Sequence, residues 1–260
     1  MFCEERQREI ADIIRTEGNV TVASIAARYG ISEESARRDL RLLEQRGVCR
    51  RTHGGAIAAN QVAVRRPADR DFDNMPVYEN YREISRAAAA KIKAGDTVYL
   101  TSGSFGHILL EFLPRGFEFT VVVNSVDLGK ALRGFDNVDV YVAGGHMRKS
   151  GSIVDSLANE FISRLHFDLC FVTGAGLTSF GLTNGSDETA TFQRTIIKNS
   201  RERILLMPSE KIGVDSFVRV CGADEFDEII TDWECPSDRI AELAECGVKP
   251  VVVRKPNEPR

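Results

Sequence analysis

The chain has 260 residues, of which 43% are hydrophobic and 28% charged, with a formal net charge of −4. These values are typical of a soluble globular protein of one or two domains with a sizeable core. The negative net charge excludes a polycation, and no apolar run approaches the roughly 18 residues that a membrane span requires.

Six cysteines are scattered along the chain without a CxxC pair, and no secretory signal precedes the first predicted helix. We therefore expect a cytoplasmic protein with free thiols, in which Cys170 and Cys221 are buried. The four histidines lack metal-ligand spacing with any cysteine, so we expect no metal site. Neither a dinucleotide fingerprint nor a P-loop occurs, so we expect no cofactor.

The first residues of the chain predict three short helices followed by a β-hairpin. The first helix ends near Gly18, and the second spans residues 21–29 with Thr21 as its N-cap. Gly30 and Ile31 then form a turn of the length that a helix-turn-helix uses. Ile10, Ile13 and Ile14 mark the first helix, and Ile25, Ala26 and Tyr29 are expected to face inward on the second.

The third helix starts at its N-cap, Ser32, and has one apolar and one cationic face. Ala36, Leu40 and Leu43 share the apolar face because they are spaced i, i+4 and i+7. In isolation this pattern is typical of a solvated surface helix, but the preceding turn favours a recognition helix that enters a DNA major groove. The side chains that point away from the apolar face are Glu34, Ser35, Arg38 and Arg41.

Residues 48–56 are compatible with a β structure, doubly basic and closed by a glycine pair, which predicts the hairpin of a winged helix. Arg50 and Arg51 are placed to contact backbone phosphate or the minor groove. Between positions 37 and 51 six arginines stand against Asp39 and Glu44 alone. The positive charge is therefore local to this head, as in a DNA-reading unit attached to a body that does not read DNA.

Residues 58–78 have mixed charge and no clear period, which predicts a linker. Arg65 and Arg66 lie there, and we favour solvated linker residues over DNA contacts.

From residue 79 short apolar strands alternate with helices, which predicts a mostly parallel sheet covered on both faces. The predicted helices are 81–92, one through 113 that follows the loop at 102–106, 127–132, 157–165, 188–199 and 239–246; the predicted strands are 97–101, 120–124, 138–143, 168–173, 203–206, 217–221, 228–231 and 251–253.

Small residues follow four of the predicted strands. In open α/β sheets, ligands bind outside the carboxyl ends of the strands, where exposed N–H groups and hydroxyls suit an anion such as phosphate. One glycine after a strand also serves a tight turn, but four such segments favour a pocket lined by backbone donors. The segments are Ser102-Gly103-Ser104, Asn124-Ser125, Gly144-Gly145 and Gly174-Ala175-Gly176.

Two sets of motifs resemble the DeoR family of bacterial transcriptional regulators. Residues 6–57 are similar to its N-terminal domain through Ser-x-x-[Ser/Thr]-x-Arg-Arg-Asp-Leu at 32–40 and His-Gly-Gly-Ala at 53–56, with Ser35 where the family usually has Thr. Residues 79–254 resemble its C-terminal sensor domain. That second likeness rests on Gly95-Asp96-Thr97, Asn124-Ser125, Gly144-Gly145, Phe167-Asp168, Gly181-Leu182-Thr183, Ser209-Glu210-Lys211 and Thr231-Asp232.

The resemblance implies an α/β protein with a winged helix-turn-helix at 1–57, a linker at 58–78 and an effector-sensing and oligomerisation domain at 79–260. That domain is similar in fold to ribose-5-phosphate isomerase and CoA transferases. The implied function is a sequence-specific repressor of a carbohydrate-metabolism operon. A phosphorylated sugar or related metabolite releases it from double-stranded DNA, and it acts as a homo-oligomer, either dimer or tetramer, without a membrane partner or enzymatic activity.

The residue patterns and the family resemblance together predict two sets of site residues. The expected DNA-binding residues are Thr21, Ser32, Glu34, Ser35, Arg37, Arg38, Arg41, Arg50, Arg51 and His53. The expected effector-binding residues are Ser102, Gly103, Ser104, Phe105, Asn124, Ser125, Gly144, Gly145, Gly174, Asp187 and Lys211, with the phosphate near the first three.

The first effector loop departs from the family's usual Asp-x-Gly-Thr-Thr. Thr101 stands where the family has an aspartate, so this loop lacks that carboxylate. Phe105 stands where the family has a threonine, and we expect its ring to narrow the pocket or to stack on a sugar. Lys211 is either a phosphate partner or a solvated surface charge. His107 and His146 are either bystanders or pH-sensitive ligand contacts.

Two alternatives stay open at this point. One is an isomerase-like or CoA-transferase-like enzyme with an accessory DNA-binding head, for which Asp187 and Lys211 form the acid–base pair. The other is a DNA-binding protein whose body only oligomerises and has lost its ligand.

Overall fold

The computed structural model describes residues 3–17, 19–46, 48–52, 54–58 and 78–256. The chain divides into two compact units, Met1–Val62 and Ala63–Arg260. His53 and nearly all of the predicted linker, with Arg65 and Arg66, lie outside the described residues.

The N-terminal unit contains the predicted helices, turn and hairpin. A third strand joins the hairpin in an antiparallel sheet, in which the strand after the first helix pairs with the second strand of the hairpin. This strand was not predicted, because three residues are too few to show a period. The elements are α1 (Cys3–Glu17), β1 (Asn19–Thr21), α2 (Val22–Tyr29), α3 (Glu33–Gln45), β2 (Cys49–Thr52) and β3 (Gly55–Ala58).

Both predicted N-caps are confirmed. The Thr21 hydroxyl accepts a hydrogen bond from the Ser24 N–H at 3.0 Å, and the Ser32 hydroxyl accepts one from the Ser35 N–H at 3.2 Å. Gly30 ends α2 with φ +63°, a conformation that favours glycine. These local signals hold α2 and α3 at the separation of a helix-turn-helix.

The core of this unit is the predicted one, with a half-buried rim. Ile10, Ile14 and Ile25 are buried, and the apolar face of α3 packs on them. Ala26 and Tyr29, which were expected to face inward, are half-buried, and Tyr29 packs against this core.

Gly55 is required where β3 approaches β1. A Cβ atom at Gly55 would lie 1.9 Å from the Val20 carbonyl oxygen, whereas a Cβ at Gly54 would meet nothing within 4 Å. We expect Gly55→Ala to lower the opening free energy of the β1 and β3 amides by about 2 kcal/mol, because backbone must shift to admit the methyl group. Native-state hydrogen exchange on the full chain measures this, and equal effects of Gly55→Ala and the control Gly54→Ala would contradict it.

The C-terminal unit alternates strands and helices as predicted. Its helices are α4 (Glu79–Ala89), α5 (Ser104–Leu109), α6 (Val126–Leu132), α7 (Ser156–Ser163), α8 (Asp187–Lys198) and α9 (Ser237–Glu245). Its strands are β4 (Thr97–Leu100), β5 (Phe119–Val123), β6 (Val138–Val142), β7 (Phe167–Val172), β8 (Gly176–Thr178), β9 (Gly181–Asn184), β10 (Ser200–Leu206), β11 (Val218–Cys221), β12 (Glu228–Thr231) and β13 (Lys249–Val252).

Seven of these strands form one parallel sheet of order β13-β12-β10-β7-β4-β5-β6. Successive residues of β4 point to opposite faces, with Val98 and Leu100 in one core and Tyr99 in the other. Residues of α4, α5 and α6 join the first core, and those of α7, α8 and α9 join the second. The predicted parallel sheet covered on both faces is confirmed.

The segment 217–221 departs from this prediction, because β11 pairs antiparallel with β9 in a separate sheet of order β11-β9-β8. Its apolar residues resemble those of a core strand, but the β8–β9 hairpin supplies it with a nearer edge. Gly181, with φ +121°, permits this pairing, since a Cβ there would lie 2.0 Å from the Cys221 carbonyl oxygen.

Two predicted helices end earlier than their apolar periods. The helix predicted at 81–92 stops at Ala89, where the Lys91 and Ile92 N–H groups donate to carbonyls three residues back, at Ala88 and Ala89. The helix predicted through 113 begins at Ser104, inside the predicted loop 102–106, and changes after Leu109 to a 3₁₀ turn. Ile92 is still buried, so the apolar period continues beyond the helix.

Candidate functional site

The outer face of α3 presents Glu34, Arg38 and Arg41, which are exposed and spaced i, i+4 and i+7. In the part of the chain that the structure describes, no acidic side chain pairs with Arg38 or Arg41. Both guanidinium groups therefore face solvent on one surface, where an external anion or a base edge can meet them.

The other predicted cationic residues have internal partners or less exposure. The Arg37 guanidinium lies 3.3 Å from Glu33 Oε2. The backbone N–H of Arg51 donates to Glu44 Oε1 at 2.7 Å, which ties the hairpin to α3. Arg50 is half-buried. Exposed pairs such as Arg37–Glu33 are weak, so Arg37 stays available at a small cost.

The predicted hydroxyl contacts also carry local structure. The Thr21 and Ser32 hydroxyls cap α2 and α3, and the Ser35 hydroxyl lies 3.0 Å from that of Ser32. These three side chains position the starts of α2 and α3. A contact with a DNA phosphate therefore uses the hydrogen bonds that each hydroxyl can still make.

Asp39 was missed by the sequence reasoning, although it lies beside Ala36 on the apolar face of α3. Its carboxylate is buried and accepts hydrogen bonds from Arg6 Nε at 2.7 Å and Gln7 Nε2 at 2.9 Å. Gln7 in turn accepts from Arg46 Nη1 at 3.2 Å. This network fixes α3 on α1, and an acidic residue on an apolar face was the signal for it.

The carboxyl ends of β4 and β7, which are neighbours in the sheet, form the edge that we call the crevice. The chain leaves β4 toward β5 on one side and leaves β7 toward β10 on the other, so this is the point where strand order reverses. A Cβ on Gly103 would lie 3.7 Å from Thr173 Cγ2, which shows that the two following loops adjoin. Open α/β sheets bind ligands at such switch points, and the predicted residues Ser102, Gly103 and Ser104 lie here.

Asn124 and Ser125 follow the next strand, and their side chains are already engaged. Asn124 Oδ1 accepts from the Tyr99 hydroxyl at 2.9 Å, and its Nδ2 donates to the Ile153 carbonyl at 3.0 Å. The Ser125 hydroxyl accepts from the Leu128 N–H and caps α6. Both side chains are buried and position loops, so ligand contact would use the hydrogen-bonding capacity that these bonds leave.

Two of the predicted glycines have packing reasons. Gly145 has φ +148°, and a Cβ there would lie 2.2 Å from Asp155 Oδ1. Hydrogen bonds from the His146 and Ala158 N–H groups hold the pKa of the Asp155 carboxyl below its ordinary value. A Cβ on Gly174 would lie 2.3 Å from Leu182 Cδ1, while one on Gly144 would meet nothing within 4 Å.

Phe105 differs from its predicted role. Its side chain is 1% exposed and stacks on Tyr81 with ring centroids 4.7 Å apart and planes 15° apart. The ring therefore belongs to the core beneath the crevice and does not form a wall on which a sugar stacks. Sequence reasoning placed it correctly beside the loop but had no information on the direction of the side chain.

The remaining predicted residues differ in exposure and in what they contact. Asp187 is exposed at the start of α8, and Lys211 Nζ lies 6.0 Å from the Tyr81 ring centroid. His146 is exposed, and His107 Nδ1 lies 3.4 Å from the Gly103 carbonyl oxygen. His107 thus contacts the predicted phosphate loop.

Arg148 was missed, although it is a cation in the loop after Gly144-Gly145. Its Nη2 lies 2.7 Å from Glu188 Oε2, and its Nη1 donates to the Thr189 hydroxyl at 3.1 Å. It therefore links that loop to the first turn of α8.

Cys170 and Cys221 are buried, as predicted, and burial raises the pKa of each thiol to about 12. Both thiols are therefore protonated at neutral pH and are poor nucleophiles. Across the described ranges, no three or more histidine, cysteine, aspartate or glutamate residues are grouped so as to hold a metal ion. None of the helices in those ranges combines the length and apolarity needed to cross a bilayer.

Family models match both parts of the chain. One described as a DeoR-like helix-turn-helix domain matches residues 6–62, and one described as a DeoR C-terminal sensor domain matches residues 77–233.

Similar curated proteins cover the chain almost end to end. The HTH-type transcriptional regulator GlpR of Haloferax volcanii is 29% identical over 95% of this chain and 97% of its own. The lactose phosphotransferase system repressor of Lactococcus lactis is 28% identical over 93% and 96%. The HTH-type transcriptional repressor GlcR of Bacillus subtilis is 27% identical over 99% of both chains.

Solved structures give weaker matches. Ribose 5-phosphate isomerase A from Methanocaldococcus jannaschii aligns with a TM-score of 0.38 and 13% identity over 51% of this chain and 53% of its own. A translation initiation factor eIF-2B from Pyrococcus horikoshii aligns with a TM-score of 0.44 and 16% identity over 82% and 67%.

Proposed function

Because the chain belongs to the DeoR family of helix-turn-helix transcriptional regulators, we propose that it represses an operon of carbohydrate metabolism. The observation that carries this proposal is the outer face of α3, where Arg38 and Arg41 are exposed and Asp39 anchors the opposite face. Arginines at such positions make bidentate contacts with guanine in the major groove. The names of the relatives include a lactose phosphotransferase system repressor and a putative aga operon repressor, which supports a sugar operon.

The proposed DNA contacts are divided by role. Arg38, Arg41 and Glu34 lie outward and read base edges, while the other predicted residues contact phosphate and set the register. A helix-turn-helix reads half-sites in pairs, so we propose that the protein binds as a homo-oligomer, dimer or tetramer. The phosphate-contacting residues are Thr21, Ser32, Ser35, Arg37, Arg50, Arg51 and His53.

The proposed effector is a phosphorylated sugar bound at the crevice beside β4 and β7. Its phosphate meets Ser102, Gly103 and Ser104. A ligand that prefers the conformation with low DNA affinity shifts the population away from the operator-bound form by its differential affinity. The surrounding residues are Asn124, Ser125, Gly144, Gly145, Gly174, Asp187 and Lys211.

We propose that the protein acts without enzymatic turnover. An isomerase or transferase needs an acid and a base that converge on the substrate. Asp187 is exposed at the start of α8, whereas Lys211 lies beside the Tyr81 ring. Turnover of ribose 5-phosphate or of a CoA ester by the purified protein would overturn this part of the proposal.

The function is tested on duplexes that the purified full chain selects from a random library. We expect the chain to bind selected duplexes specifically. At least one phosphorylated probe should weaken this binding by about tenfold or more, whereas inorganic phosphate and the unphosphorylated forms of the probes should not. If no DNA sequence is enriched, the proposed regulator function is refuted. If duplexes are enriched but no probe releases the protein from them, the C-terminal domain only oligomerises. The probes are glucose 6-phosphate, fructose 1-phosphate, galactose 6-phosphate and glycerol 3-phosphate.

A further inference from the structure

Glu210 has one carboxylate oxygen engaged and one free. It lies in the 3₁₀ turn Ser209–Lys211 that follows β10. Its Oε1 accepts a hydrogen bond from the Tyr81 hydroxyl at 2.9 Å. Its Oε2 is buried and accepts no hydrogen bond from any residue in the described ranges. A buried acceptor without a donor is costly, so a hydrogen-bond donor is expected to meet this oxygen.

A second buried oxygen lies at the same edge of the sheet. Thr173, directly after β7, has a hydroxyl that is buried and likewise without a partner among the described residues. Strands β7 and β10 are parallel neighbours, so both oxygens lie at their carboxyl ends, beside the crevice. Together they offer an acceptor and a hydroxyl at the crevice.

The charge of Glu210 indicates which part of a ligand it meets. A carboxylate repels a phosphate dianion and accepts from hydroxyl groups, with hydrogen bonds stronger than those between neutral groups. The phosphate of a sugar phosphate therefore binds away from Glu210, and its hydroxyls face it. This separation fits a phosphate at the loop 102–104, one strand beyond Thr173.

The same turn is tied to the start of α4. Asp232 Oδ2 accepts from Asn80 Nδ2 at 3.2 Å and from the Ser209 N–H at 2.8 Å. The ring of Tyr81 stacks on Phe105, which directly follows the phosphate loop. The first turn of α4 thus contacts the segments after both β4 and β10, and in the sequence α4 is the first described helix after the DNA-binding unit.

We propose that Glu210 binds the hydroxyl groups of the effector through Oε2 and, through the Tyr81 hydroxyl on Oε1, transmits its presence to α4. This inference rests on the proposed function and names the residue that distinguishes a sugar phosphate from phosphate. When a ligand hydroxyl donates a hydrogen bond to Oε2, the carboxylate reorients. This changes the hydrogen bond between Oε1 and the Tyr81 hydroxyl, and with it the position of the first turn of α4. Glu210 is the recognition residue, and Tyr81 is the coupling residue.

The recognition step is tested by calorimetric titration of the full chain with the three sugar phosphates and glycerol 3-phosphate named above, and with inorganic phosphate. We expect Glu210→Gln and Glu210→Ala to weaken binding of the best probe by about tenfold and to leave the affinity for inorganic phosphate within twofold. The control is Glu160→Gln, an exposed glutamate of α7 paired with Arg164. Equal losses for both ligands, no loss for either, or no probe that binds wild type better than inorganic phosphate would overturn the recognition role.

The coupling step is tested by the ratio of DNA affinities with and without the saturating probe. Tyr81→Phe keeps the ring stack and removes only the hydroxyl, so we expect probe affinity within threefold of wild type while this ratio falls to less than about twofold. Tyr141→Phe, at an exposed tyrosine on β6, is the matched control and keeps the full ratio. A purely structural role would lower the melting temperature and leave the ratio unchanged, and that result would overturn the coupling.

The two proposals fail in different ways. Without specific DNA binding by wild type, the proposed function fails. If the probe releases wild type and Tyr81→Phe from DNA to the same extent, only the proposed coupling through Tyr81 fails.

Discussion

Replacing Arg38 with alanine is expected to weaken binding to a selected operator duplex by about ten- to a hundredfold, with unchanged folding and effector affinity. Arg38 is exposed on the face of α3 opposite the core, and no acidic side chain in the described residues competes for it. A bidentate contact from arginine to guanine contributes about 1–3 kcal/mol of discrimination, which corresponds to this range. The measurement is fluorescence anisotropy with specific and scrambled duplexes at several salt concentrations.

Arg37 provides the matched control, because it lies on the same helix but pairs with Glu33 at 3.3 Å. Arg37→Ala should weaken specific and scrambled duplexes about equally and lower the salt dependence by about one phosphate contact. An Arg38→Ala protein that binds the selected duplex like wild type would remove Arg38 from base recognition.

Replacing Asp39 with alanine is expected to lower the opening free energy of α1 and α3 by about 3 kcal/mol. The carboxylate is 2% exposed, and its removal leaves the Arg6 guanidinium, whose side chain is 14% exposed, without this partner. Breaking a buried pair from one side costs about 3–5 kcal/mol, and the slight exposure of Arg6 places the expectation at the lower end. Native-state hydrogen exchange of the α1 and α3 amides in the full chain gives the value.

Glu33→Gln is the control for that experiment. Glu33 also pairs with an arginine, but both side chains are exposed, so we expect a change of less than about 1 kcal/mol. A similar small change for Asp39→Ala would show that apolar packing of Ala36, Leu40 and Leu43 alone holds α3. Asp39→Asn, which keeps the size and one acceptor, separates loss of charge from loss of volume.

Local signals made the DNA-binding unit largely predictable. Thr21, Ser32 and Gly30 act within a few residues of their own position, and the helical period of Ala36, Leu40 and Leu43 identifies the buried face. The strand β1 and the network around Asp39 were not predicted, because both depend on partners more than thirty residues away in the sequence.

In the C-terminal unit, the apolar strands that alternate with helices were enough to predict a parallel sheet covered on both faces. Sequence by itself thus determined the class of fold and the buried and outer faces of α3, because period and capping are local properties. Tertiary structure alone decided that β7 returns beside β4, that Phe105 turns into the core against Tyr81, and that Glu210 keeps one oxygen without a donor. These outcomes depend on strand order and on which distant side chain fills each space, and packing between elements sets both.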